Sequence, residues 1–128
     1  MGAALNPVWS PDGTFIAYAG TNSSGSEPLK AVGPDGAPIE VPPIRLSPNG
    51  ERLRFMPNGK SLVYTQGAFG SQDFWVLDLA TKKTRQLTHL NNPSVMRAFD
   101  VTADGKQIVF DRLRDNSDIV MIELPHAK

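Results

Sequence analysis

Trp9-Ser10-Pro11-Asp12-Gly13 running into Thr14-Phe15-Ile16-Ala17-Tyr18 decides the fold, because the chain repeats the phrase twice more. Phe55-Met56-Pro57-Asn58-Gly59 leads into Lys60-Ser61-Leu62-Val63-Tyr64. Val101-Thr102-Ala103-Asp104-Gly105 leads into Lys106-Gln107-Ile108-Val109-Phe110. Trp9, Phe55 and Val101 stand 46 residues apart. A constant interval of this size marks one supersecondary unit in tandem, and a unit that cannot bury its own faces must stack on its neighbours. In each copy an Asx-Gly turn, where Gly takes positive φ without a Cβ penalty, opens a strand of β-branched, aliphatic and aromatic residues.

The second copy shows the whole unit. Arg52 to Met56 alternates polar and apolar, and Lys60 to Thr65 is the second strand. After a loop from Gln66 to Gln72, Asp73 to Leu79 is an almost continuous apolar run, as expected of a strand covered on both faces. Thr84 to Thr88 is more polar and suits an outer edge. The third copy repeats the first three strands over Ala98–Thr102, Lys106–Asp111 and Ser117–Leu124, with the loop at Arg112 to Asn116. The first is looser, at Asn6–Ser10, Thr14–Ala19, Pro28–Val32 and Ile39–Val41, and Ser47-Pro48-Asn49-Gly50 adds a hairpin signal before copy two. No twelve-residue segment has helical periodicity with caps. The expectation is an all-β chain of eleven strands in about three four-stranded antiparallel blades, spanning 6–43, 51–90 and 97–125. Four strands per 40–50-residue repeat is the blade of a β-propeller, whereas a sandwich would lack the 46-residue self-similarity.

Composition narrows the function classes. The 128 residues fit one domain, and 40% hydrophobic with 20% charged residues is a globular balance. Thirteen basic residues offset thirteen acidic ones, so the basic excess that nucleic acid or an anionic membrane would recruit is missing. With no Cys, disulfides, thiol catalysis and thiolate metal sites are excluded. No apolar run approaches the ~20 residues of a membrane span. Met1 to Leu5 is read neither as a secretory signal nor, with Leu5 and Asn6 following Gly2, as a myristoylation site.

The order aromatic, Ser/Thr, Pro, Asp, Gly, Lys, aliphatics and aromatic, then Asp73-Phe74-Trp75-Val76-Leu77-Asp78-Leu79 and Arg85-Gln86-Leu87-Thr88, resembles the TolB-type, WD-like β-propeller repeat of bacteria. About three quarters of the chain carries it. The resemblance implies the propeller fold and a non-catalytic role in binding a protein or peptide partner. Such repeats occur in periplasmic Tol-system proteins, in accessory propellers of prolyl-oligopeptidase-like hydrolases, and at the C-terminus of membrane-anchored serine/threonine kinases. The Phe110-Asp111-Arg112 and Asn116-Ser117-Asp118 stretches look most like the kinase group. The resemblance favours a periplasmic or extracytoplasmic location. A peptidase accessory domain, and small-ligand or calcium binding in the channel, are the alternative readings.

Propellers close with ~4–8 blades. Three blades therefore read as part of a larger ring, or as half of a six-bladed homodimer in which Met1 to Asn6 would supply the strand missing from blade 3.

Candidate chemistry is sparse. Gly-x-Ser-x-Gly is absent: Ser71 follows Gly70, but Asp73 stands where the last Gly belongs. His89 and His126 lie on a connection and a tail. Asp111, Asp115 and Asp118 bracket Asn116, which invites a calcium reading, but the EF-hand spacing is missing and turn-forming Asx residues explain the cluster. Asp78 and Glu123 occupy matching positions, as do Asp12, Asn58 and Asp104, which points to a repeated structural duty such as an Asx turn. No catalytic residue, metal ligand or cofactor is assigned. The binding residues expected are Gln66, Gln72, Arg112, Arg114, Asp115 and Asn116, on inter-strand loops that share one face with the loop around Asn22 to Glu27. Arg54 and Asp100 hold equivalent places in adjacent first strands and are the channel candidates, an inter-blade ion pair being one arrangement open to them. Trp9, Phe74 and Trp75 are read as blade-packing residues.

Overall fold

Three antiparallel sheets follow one another along the computed structural model of the chain, which describes residues 4–20, 27–47, 53–67, 71–90, 96–113 and 117–125. Blade 1 holds β1 (Ala4–Trp9), β2 (Ile16–Gly20), β3 (Glu27–Val32), β4 (Pro38–Ile39) and β5 (Arg45–Leu46). Blade 2 holds β6 (Leu53–Phe55), β7 (Ser61–Gln66), β8 (Asp73–Asp78) and β9 (Thr84–Gln86); blade 3 holds β10 (Phe99–Val101), β11 (Gln107–Leu113) and β12 (Ser117–Glu123). Consecutive strands are neighbours in every sheet except that β5 returns to pair with β3, and no helix occurs among the described residues. The first strand of blade 2, β6, lies against both β1 and β10, so the blades meet along their inner strands and stack as an open arc.

Twelve strands are seen among the described residues where eleven were expected, and proline is the reason. The outer strand of blade 1 is split. β4 covers only the end of β3, pairing Ala31 with Ile39 and Val32 with Pro38. Pro42-Pro43 then removes two ladder donors, and β5 resumes on the start of β3 with Pro28 opposite Arg45. Between these pieces the Leu29 amide donates to the Ile44 carbonyl at 2.9 Å. The hairpin expected from Ser47 to Gly50 falls mostly outside the described residues, but Ser47 itself is buried, its amide donating to Thr65 O at 2.9 Å.

The proposal that Met1 to Asn6 completes blade 3 needs correction. Ala4 and Leu5 pair with Gly20 and Ala19, so this segment belongs to the innermost strand of its own blade. The register slips between Leu5 and Val8, where Asn6 takes a left-handed φ of 51°. Met1 to Ala3 lie outside the described residues.

Strand alternation sorts the apolar residues onto two faces of each blade. The face of blade 1 toward blade 2 is made of small residues, Ala17, Ala19 and Ala31, with Leu29. Against it blade 2 sets Leu53, Phe55, Leu62, Tyr64 and Leu77. The opposite face of blade 2 presents Val63 and Phe74 to Phe99, Ile108 and Phe110 of blade 3. Phe74 is 0% exposed and meets both phenyl rings edge to face, at 5.1 Å from Phe99 and 5.2 Å from Phe110. Burying each such side chain is worth roughly 1.5–3 kcal/mol, so the two interfaces between blades are the core.

Trp9 departs from its expected packing role: it is 54% exposed. Its repeat equivalent, Phe55, faces the preceding blade, and blade 1 has none among the described residues. Phe74→Ala is expected to cost about 3–5 kcal/mol by opening a cavity between blades 2 and 3, measured by urea unfolding. A loss below about 1 kcal/mol would show that the two blades do not share this core.

Candidate functional site

The acidic residues that recur in the sequence are turn devices. In each blade the Gly amide of the first turn donates to the carbonyl three residues back: Gly13 to Ser10, Gly59 to Met56 and Gly105 to Thr102, at 2.8–2.9 Å, with φ of 71–73° at all three glycines. The Asx side chain then accepts the amide two residues on. Asp12 takes Thr14 N at 3.0 Å, Asn58 takes Lys60 N at 2.9 Å and Asp104 takes Lys106 N at 3.0 Å. Ser10 and Thr102 hydroxyls also donate to Asp12 and Asp104, at 2.7 and 2.6 Å. Hydrogen bonding from Thr14 and Ser10 holds the Asp12 carboxyl below its usual value, and Thr102 does the same for Asp104. Asp78 serves the later turn of blade 2, accepting Ala80 N at 2.9 Å and Thr81 N at 3.0 Å, and is likewise lowered, chiefly by Thr81. Successive first turns touch: Pro11 sits over Gly59, and Pro57 over Gly105.

A second group of polar side chains holds the connection that leads from blade 2 into blade 3. Gln72, expected on a binding loop, is 4% exposed, and its amide oxygen accepts the Met96 amide at 3.3 Å. Asp73 accepts the Thr88 hydroxyl at 2.9 Å and the Leu90 amide at 2.8 Å, while Thr88 Oγ1 accepts Phe74 N at 3.0 Å. Asp111, a calcium candidate, accepts the amides of Arg97 and Ala98 at 2.7 and 3.1 Å, where the chain enters β10. Burial pushes the Tyr64 phenol up, opposed by its hydrogen bond with Thr84.

Of the expected site residues, the structure brings Arg54 and Asp100 together. Arg54 Nε lies 3.7 Å from Asp100 Oδ1 across the inner edges of blades 2 and 3, and Arg54 Nη1 also donates to Leu53 O at 3.1 Å. Gln66 and Arg112 are half-buried at the ends of β7 and β11. Arg114, Asp115 and Asn116 lie outside the described residues, as does His126, and His89 is exposed on the connection after β9. No group of three or more metal-ligating side chains occurs among the described residues.

One feature had no sequence signal. A groove of about 740 Å³ runs between the first turns of blades 2 and 3 and the end of β12, lined by Met56, Asn58, Asp104, Lys106, Gln107 and Glu123 among others. Repeat positions place these turns on one face but do not give the gap between them.

Two outcomes follow. Since the unfolded carboxylates titrate near ~3.9 and the folded Asp12 and Asp104 values are lower, they stabilise the fold above that pH, and the contribution is lost as pH falls through the lowered values. The Asp12→Asn, Asp104→Asn double variant, copying Asn58, is expected to keep its fold at pH 7 and lose melting temperature less steeply below about pH 4 than the parent. Asp100 is 78% exposed, so an Arg54→Ala, Asp100→Ala double-mutant cycle is expected to return only about 0.2–1 kcal/mol of coupling, weakening with salt.

No family model matches the chain. It is 31% identical over 94 residues, 66% of its own length, to the Tol-Pal system protein TolB of Ruthia magnifica subsp. Calyptogena magnifica, of which it spans 20%. The crystal structure of TolB from Acinetobacter baumannii superposes with a TM-score of 0.69 at 19% identity, covering 93% of this chain and 29% of that one. The β-propeller domain of the trilobed protease from Pyrococcus furiosus gives 0.66 at 16% identity, over 95% and 39%. The structural matches share the fold. The chain is a TolB-like β-propeller segment of about three blades.

Proposed function

We propose that the chain is a non-catalytic propeller module that binds a protein partner through the loops between second and third strands. One observation carries this reading. On one face of the arc the first turns are near copies, with their Asx side chains spent on their own backbone. At the opposite strand ends the connecting sequences, which lie largely outside the described residues, differ in length and chemistry: Thr21-Asn22-Ser23-Ser24-Gly25-Ser26 in blade 1, Gly67-Ala68-Phe69-Gly70-Ser71-Gln72 in blade 2, and Arg114-Asp115-Asn116 in blade 3. A rigid repeat scaffold with variable loops on one face is the usual construction of a binding surface. The likeness to a protein named for the Tol-Pal system supports a protein as the partner. It also supports an extracytoplasmic setting. Gln66 and Arg112 flank these connections in sequence, Arg114, Asp115 and Asn116 compose the third, and Gln72, at the end of the second, holds the Met96 amide.

The larger protein in which the module works is part of the proposal. A membrane-anchored kinase would carry it as a sensor domain facing its partner. The peptidase-propeller reading rests on fold likeness at 16% identity, which does not carry an activity across.

The test replaces residues 68–70 and, separately, 114–116 with Gly-Ser linkers of equal length, and captures partners from an extract of the host envelope. Binding is expected to fall at least tenfold with the circular dichroism spectrum unchanged, whereas Asp104→Asn on the opposite face leaves it intact. Capture that survives both loop replacements would remove this face from consideration.

A further inference from the structure

In the first turn of blade 2, Asn58 stands where blades 1 and 3 have Asp12 and Asp104, and the residue after it is Gly59. Asn-Gly is a chemically fragile pair. The amide nitrogen of the second residue attacks the side-chain carbonyl carbon of the first, forming a C–N bond and expelling ammonia to leave a five-membered succinimide. Water then opens that ring at one carbonyl or the other, giving Asp or isoaspartate. Glycine favours the attack because no Cβ crowds the approach or restricts the backbone. Asn58 is exposed, so water reaches it.

The folded turn withholds the groups that this reaction needs. The Gly59 N–H must give up its proton before the nitrogen can attack, and it donates to Met56 O at 2.8 Å. Asn58 Oδ1 accepts the Lys60 amide at 2.9 Å, which directs the side chain to the peptide two residues on. Gly59 is held at a φ of 71°, and the Pro11 ring of blade 1 stands 3.6 Å from the place of a Cβ on it. Ring closure therefore requires the turn to release the Met56 carbonyl and lift from beneath Pro11.

The two products fit the turn differently. Asp at this position copies Asp12 and Asp104, each of which accepts the amide two residues on at 3.0 Å. Isoaspartate carries the main chain through the side-chain carbon, which adds a methylene to the backbone between Pro57 and Gly59 and breaks the spacing of the turn.

We propose that Asn58 is a latent deamidation site held closed by the stacked first turns of blades 1 and 2, and that it converts through local opening of this turn. Local opening has its own free energy, at most that of global unfolding. The rate of conversion at Asn58 thus reports how firmly the turn of blade 1 is seated on that of blade 2. This inference is independent of which loops bind a partner.

The test incubates the 128-residue chain at mildly alkaline pH and follows the tryptic peptide Phe55–Lys60 by mass spectrometry. Asn58 has the only side-chain amide in that peptide, and Asn49-Gly50 falls in a separate one, Leu46–Arg52. The mass gain from replacing NH2 by OH is expected to be at least about tenfold slower in the folded chain than in guanidinium chloride, with circular dichroism recording the β-sheet spectrum in buffer. Pro11→Ala, which copies Ala103 of blade 3, is expected to speed conversion several-fold in the folded chain and to leave the denatured rate unchanged. Equal rates in the folded and denatured chains, or a folded Pro11→Ala variant that converts no faster than the parent, would overturn the proposal.

Discussion

A four-stranded sheet of this size has two apolar faces and no means of covering either, and everything else in the molecule answers to that constraint. The chain meets it by stacking. Alternation along each strand sends Ala17 and Ala19 one way from Ile16 and Tyr18, and sends Val63 one way from Leu62 and Tyr64. The strands of blade 2 thereby contribute to two interfaces. The first is matched by volume, alanines on blade 1 leaving room for Phe55, Tyr64 and Leu77 on blade 2. The second is matched by shape, with Phe74 edge-on to Phe99 and Phe110, an arrangement worth ~0.5–1.5 kcal/mol per pair beyond burial.

The polar residues then divide by task. Asp12, Asn58 and Asp104 set the turn that starts each second strand, and the substitution of Asn for Asp in blade 2 shows that the position requires an acceptor oxygen, not a charge. Gln72, Asp73, Thr88 and Asp111 bind backbone amides where the chain passes from one blade to the next. A carboxylate already engaged in this way is a poor candidate for catalysis or metal binding, since its lone pairs are directed at main-chain donors. What remains for recognition is the set of loops whose sequences do not repeat.

The repeat made the blades legible, since it reports the turn, the strand after it and the alternation of faces together. Two kinds of detail escaped it. Pro42-Pro43 broke the outer strand of blade 1 into β4 and β5, a local event in a segment with no counterpart in the other copies. Burial of Gln72 was also hidden, because a glutamine beside a Gly-Ser loop reads as exposed unless the Met96 amide that needs its oxygen is known to lie above it. The closeness of Arg54 and Asp100 was approachable from repeat position alone. The groove beside Asn58 and Lys106 was not, because it depends on the spacing between blades.

Stacked repeats draw stability from nearest-neighbour interfaces, so an interior unit is held from both sides and an end unit from one. Blade 2 has Leu62, Val63, Tyr64, Phe74 and Leu77 all essentially inaccessible. Blade 1 brings alanines to its single interface and splits its outer strand. Blade 3 lacks a fourth strand among the described residues, so β12 has its outer hydrogen-bonding edge unpaired there. Both end blades are thus weaker for reasons visible in their residues, and both carry the side chains that another blade would cover.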